Sequence, residues 1–203
     1  MADPMVGAER LEVARVRENL ADAFLGIKEY RGDTFILVRH DRILEVLTLL
    51  KDDPDLDYGY FSECLGVDYS TWQHPRDFPK PKRFEVVYNL MSLKHMSRIF
   101  VKVTVDDGDV IPTAKRVYLG AEYPEREIAD LYGLVFTGNE LVGERFLLPD
   151  DWIGFPLRKE YPLGGDDVIF DKGDRGPAVE DLMKPHAGSS FEGKTGSDEV
   201  AGR

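Results

Sequence analysis

One cysteine, Cys64, is all the sequence holds, and that scarcity removes two kinds of chemistry at once. No disulfide can form within the chain, and an iron–sulfur cluster has no set of thiolates to hold it. Cys64 lies in "YFSECLGV", where a thiol acts as a small core residue. Long apolar runs are missing too, and none approaches the roughly 20 residues that cross a bilayer. The opening "MADPMVGAER" has no apolar h-region, so no secretory signal is expected and the cytoplasm is the expected compartment. Positive charge is also short. Against 38 acidic residues stand 26 basic ones, and the formal charge of −12 argues against nucleic acid or an anionic membrane surface as a direct partner.

Other familiar site patterns are absent. His40, His74, His95 and His186 are scattered, without H-E-x-x-H or related ligand spacing. There is no G-x-G-x-x-G and no phosphate-binding loop. "DKGDRG", at 171–176, lacks the acidic spacing and terminal glutamate of a calcium loop.

What is present suits one globular core. Hydrophobic residues make up 42% of the 203 positions, and a domain of that size hides about 70% of its extended-chain surface. Val13, Val16, Leu20 and Phe24 fall on one stripe and predict a first helix that stops at Gly26. "TFILV", at 34–38, predicts a buried strand. Asp41 is placed to cap a helix whose Ile43, Val46, Leu47 and Leu50 repeat at helical spacing. "YGYFSECLGV" is a fainter strand, and "STWQHPRDFPKPKR" reads as a proline-rich surface loop. The clearest β pattern follows. Phe84, Val86, Tyr88 and Leu90 alternate, then Ile99, Val101, Val103 and Val105 do, so an antiparallel hairpin is expected. "DDGD", at 106–109, is a turn. Helical spacing returns from Thr113 to Gly133, broken near Gly120 and Pro124.

These elements predict a two-layer α+β fold: a small mixed sheet with an antiparallel hairpin, and helices packed on one face. The domain is expected over residues 8–163. An extended or disordered segment is expected over 164–203, with five basic and nine acidic residues after Leu163. Within it "VEDLMKP", at 179–185, could anchor along a neighbour.

The densest charge lies in "YPEREIADLYGLVF", at 123–136. One reading is a helix start: Pro124 at the first position, Glu125 and Glu127 at the positive end of the dipole, Arg126 paired with Asp130, and Gly133 as the stop. The other makes Glu127 and Asp130 a working carboxylate pair of a stand-alone hydrolase. No His, Cys or Lys nearby completes a constellation, which favours the first.

The same residues carry a resemblance. "EREIADLYGLVFTG" and, downstream, "LLPDDWIGFPLRKEYPL" resemble the two hallmarks of the 30-kDa subunit of respiratory NADH:quinone oxidoreductase (complex I), in the same order. The hairpin and the helix–strand–helix start are similar as well, so the likeness spans about residues 10–163. It implies a non-catalytic subunit of the peripheral arm, packed on the 49-kDa-type subunit and other arm subunits. FMN and iron–sulfur clusters would sit in those partners and no cofactor in this chain. The membrane would be reached only indirectly, on its cytoplasmic side. It further implies partner-facing roles for Glu125, Arg126, Glu127, Asp130 and Arg145, and for Pro156, Leu157, Arg158 and Lys159. Three positions depart from the family pattern: Asn139 and Glu140 replace His-Pro, Glu144 and Arg145 replace a basic pair, and Phe155 replaces a histidine.

Overall fold

The structure, a computed structural model, describes residues 10–161. Segment 164–203, with "DKGDRG", "VEDLMKP" and His186, lies outside the described residues.

The first helix, α1 (Leu11–Asn19), ends earlier than the apolar stripe predicts. Phe24 opens a strand instead, β1 (Phe24–Tyr30), and Gly26 lies inside that strand at a register shift rather than at a helix stop. Two periods overlap here. Val13 and Val16 enter the core from the helix, while Leu20 and Phe24 reach it from the turn and the strand. Arg31 and Gly32, with φ of 52° and 86°, then reverse the chain in two residues. That geometry demands left-handed backbone at both positions. β2 (Asp33–Val38) returns antiparallel to β1.

α2 (Ile43–Asp52) buries Ile43, Val46, Leu47 and Leu50, as its spacing predicts. Asp41 does not cap it. Residues 40–42 form a 3-10 turn that holds Asp41 short of the helix, and its carboxylate accepts both arms of the Arg39 fork at 3.0 and 2.6 Å.

β3 (Tyr60–Asp68), β4 (Phe84–Ser92) and β5 (Ser97–Val105) complete a five-stranded sheet in the order β1-β2-β5-β4-β3. The β4–β5 hairpin pairs without interruption from Phe84↔Val105 to Ser92↔Ser97. Only β2 and β5 run parallel, so the sheet is mixed. Ile36, Val38, Cys64, Val86, Tyr88, Leu90, Ile99, Val101 and Val103 join the helices in one buried core. Burial first, then the carboxylates Glu125, Glu127 and Glu63, push the Cys64 thiol well above its usual range, as suits a core residue.

The other face of the sheet is covered by the proline-rich loop. Arg76 reaches the buried Glu85 at 2.7 Å, Asp77 accepts from Lys28 at 2.8 Å, and the Lys82 amide donates to Thr104 Oγ1 at 2.8 Å. Phe78 is buried beneath it. Two three-residue strands, β6 (Val110–Pro112) and β7 (Val135–Thr137), pair parallel in a ribbon. They are too short for periodicity to reveal. Between them lie two 3-10 turns, at Ala114–Arg116 and Leu119–Ala121, and then α3 (Glu122–Tyr132). Pro124 is its third residue rather than its first, still within the turn whose N–H groups have no helical partner. Gly133, at φ 74°, ends it in the left-handed region.

α3 rests on β3 at Gly66, where an added Cβ would stand 3.0 Å from the Tyr132 ring and 3.2 Å from Ile128 Cγ2. Gly66→Val is expected to lift α3 and cost about 1–3 kcal/mol. A urea midpoint equal to that of the unsubstituted chain would disprove this contact.

Candidate functional site

The charged helix divides its carboxylates by direction. Glu125 is not a solvated first-turn charge: it is fully buried. Its carboxylate accepts from Thr113 Oγ1 at 2.5 Å, the Ala114 amide at 2.6 Å and Asn139 Nδ2 at 3.0 Å. Burial raises its pKa, and these three donors oppose the shift without cancelling it. Asn139 also donates to the Glu122 carbonyl at 2.9 Å. Glu125 thus ties α3 to the turn after β6 and to the start of the loop over 139–161.

Asp130 faces inward as well, with a side chain 1% exposed. Its Oδ1 takes Arg145 Nη1 at 3.0 Å, and its Oδ2 accepts three successive amides, those of Phe146, Leu147 and Leu148, at 3.1, 2.8 and 3.1 Å. Burial pushes this carboxyl up, but the guanidinium and the amides together hold it below the usual range. The expected Arg126–Asp130 pair is not formed, because Asp130 turns into this cradle. Arg126 instead donates to the Arg145 carbonyl at 2.8 Å and lies over the Phe146 ring. Arg145 extends the network, its Nη2 donating to the carbonyls of Trp152 at 2.8 Å and Gly154 at 3.3 Å.

The second motif closes on the C-terminal end of α3. Phe155 covers Gly133 so closely that a Cβ there would lie 2.5 Å from the ring. Arg158 Nε donates to the Tyr132 carbonyl at 2.7 Å, satisfying a helix-end acceptor. Its guanidinium lies over the Phe84 and Phe155 rings and bonds Asp107 at 2.6 Å. The Lys159 amide donates to Asp68 Oδ2 at 3.0 Å, across 91 positions of sequence. Asp68 also accepts from Arg83 at 2.8 Å and from the Ser70 amide at 2.9 Å. Burial raises its carboxyl, yet Arg83 and the two amides hold it well below the usual range.

These positions correct the sequence reading of the site. Glu125 and Asp130 are buried, and Arg145 and Arg158 hold the protein's own backbone, so these four support a surface from beneath. Glu127 is exposed, as are the side chains of Leu157 and Lys159, while Pro156 is half-buried. Glu127 and Asp130 do not converge, because Asp130 is fully occupied, so the carboxylate-pair reading has no geometry behind it. Sequence reasoning missed Asp68 and Arg83, whose only signal was a pair of opposite charges flanking the β3–β4 connection. Among the described residues no group of three or more His, Cys, Asp or Glu side chains is arranged to hold a metal ion. No helix there is long and apolar enough to cross a membrane.

The fold and the site together define an α+β domain whose charged motifs staple an irregular surface loop to one helix. Comparison with known proteins gives the family. Residues 36–167 match the model of "Respiratory-chain NADH dehydrogenase, 30 Kd subunit", and the chain belongs to that family. It is 43% identical over 157 residues to an NADH-quinone oxidoreductase subunit from Roseiflexus sp. (strain RS-1), covering 77% of this chain and 85% of that one. To the NADH-quinone oxidoreductase subunit of the same name from Citrifermentans bemidjiense it is 41% identical over 157 residues, covering 76% and 90%. Among solved structures it resembles the trypsin-resistant fragment of Nqo5 (31% identity, TM-score 0.53, 64% of this chain and 98% of that one). It also resembles a chain of the membrane-bound sulfane sulfur reductase, an archaeal respiratory membrane complex (26% identity, TM-score 0.57, 74% and 84%).

Asp130→Ala strands the Arg145 charge and frees three amides, and should cost about 3–5 kcal/mol. The carboxyls of Asp68 and Asp130 both titrate lower folded than unfolded. Their stabilisation is therefore complete above the unfolded carboxyl range, near pH ~4, and is lost as pH falls through the lower folded values. Asp68→Asn should accordingly lower stability at neutral pH and flatten the acid limb below about pH 4. Urea midpoints measured from pH 7 down to pH 2 check both, and an unchanged acid limb in Asp68→Asn would count against the Asp68 latch.

Proposed function

We propose that the chain is a subunit without an active site of its own in the peripheral arm of an NADH:quinone oxidoreductase. It scaffolds the 49-kDa-type subunit beside the iron–sulfur clusters that carry electrons from NADH to quinone, in a complex that couples this transfer to proton translocation. FMN and the clusters reside in its partners, and it sits on the cytoplasmic side of the membrane, held there through the complex. One observation carries this reading beyond family membership: the motif carboxylates Glu125 and Asp130 are saturated by donors of the protein itself. A carboxylate so enclosed cannot reach a substrate but can fix a docking surface.

The likeness to the archaeal respiratory membrane complex supports a second reading, an equivalent subunit of a related F420H2-, ferredoxin- or hydrogenase-type assembly. A mild-detergent pull-down of the tagged chain from its own cells, with mass spectrometry of what is retained, separates the two. Flavin-, cluster- and membrane-bearing subunits are expected, and the donor module among them identifies the fuel. Retention of the chain alone, as a folded and colourless species, would refute both readings.

A further inference from the structure

The loop over 144–154 is arranged inside out. Its polar groups point at the body: three amides converge on Asp130, and two carbonyls accept from Arg145. Its apolar side chains are left outside. Leu147 is 55% exposed and Ile153 is 88% exposed, on the two stretches that grip the same Asp130–Arg145 pair. Phe146 extends the apolar surface onto α3, its ring 5.8 Å from that of the exposed Tyr123. Such an arrangement is backwards for a loop facing water, where burying leucine and isoleucine is favourable.

The charge around these residues has one sign. In the loop, Glu144, Asp150 and Asp151 are exposed, while the single arginine, Arg145, is turned inward. An exposed apolar centre with a carboxylate rim is the surface of an interface whose partner supplies the cations. An anionic bilayer would be repelled by that rim.

We propose that Leu147, Ile153 and Phe146 form the centre of a docking surface, and that its occupant is a protein face with an apolar depression bordered by lysine or arginine. The inference rests on the scaffold reading above and deepens it: the motif charges position the loop, and the partner reads the apolar side chains. The Asp130–Arg145 pair fixes the backbone before the encounter, so less ordering remains to oppose binding.

The test uses the full tagged chain in its own cells. Ile153→Asp and Leu147→Asp should each reduce the co-purified subunits at least about tenfold. Both substituted side chains are exposed, so the purified variants should melt with the original chain. The double substitution Asp150→Lys with Asp151→Lys should also weaken retention, most at low salt, whereas the original chain should be held best at low salt. Retention of Ile153→Asp and Leu147→Asp at the original level would overturn the proposal while leaving the scaffold reading intact. Tighter retention of the charge-reversed chain at low salt would overturn the basic border, and binding of the purified chain to anionic vesicles would replace the protein occupant with a lipid one. A failure of the original chain to retain any subunit is a failure of the scaffold reading itself.

Discussion

A buried carboxylate organises this surface, and the loop beside it depends on that one group. Residues 144–154 form no regular helix or strand, yet their amides and carbonyls are drawn out of water, where each needs a partner. Asp130 Oδ2 satisfies three of those amides at 2.8–3.1 Å, and Arg145, drawn in by Oδ1, satisfies two of the carbonyls. Burying a lone carboxylate costs several kcal/mol. Here the guanidinium and three amide dipoles offset that cost, which is why the carboxyl is held below its usual range despite its burial. The arrangement is mutual: the loop neutralises Asp130, and Asp130 gives the loop its shape.

Two further staples use the same chemistry. Asp68 collects Arg83, the Ser70 amide and the Lys159 amide at the end of β3, and Arg158 caps the Tyr132 carbonyl at the end of α3. Charged groups bonded to backbone are strong and directional, and they serve where the chain has too few apolar residues to bury. The core proper holds by apolar packing instead, from Val13 on α1 to Phe136 on β7. The molecule thus has an apolar centre and a polar-stapled flank, and the family motifs fall on the flank.

Legibility in the sequence follows that division. The α2 stripe and the β4–β5 alternation were readable because each element buries one face, and burial of one face imposes a period. β1 was hidden, because Val13, Val16, Leu20 and Phe24 keep helical spacing while the helix stops at Asn19. β6 and β7 were hidden by length. In the site, residue types were legible and directions were not. Nothing local says that Glu125 and Asp130 turn inward while Glu127 turns out. Their partners stand 11 to 18 positions away, and the latch at Asp68 closes over 91. Local pairing rules therefore suggested Arg126 with Asp130, and tertiary donors overrode them.

The departures from the family pattern become intelligible in the same terms. Asn139 stands where a histidine is usual, and its amide supplies the third hydrogen bond to Glu125. Phe155 replaces another histidine, lies over Gly133 and offers its face to the Arg158 guanidinium, 4.8 Å away. Each substitution keeps a structural contact that needs a donor or a flat ring, and neither contact needs an imidazole that titrates. A reaction would have required the proton chemistry of histidine; a scaffold requires only the geometry. The enclosed carboxylates argue in the same direction. A group that must meet a substrate keeps at least one oxygen free, whereas Glu125 and Asp130 hold both of theirs in place. The role left to them is mechanical: they hold a stretch of irregular backbone still enough that its outward side chains can be recognised.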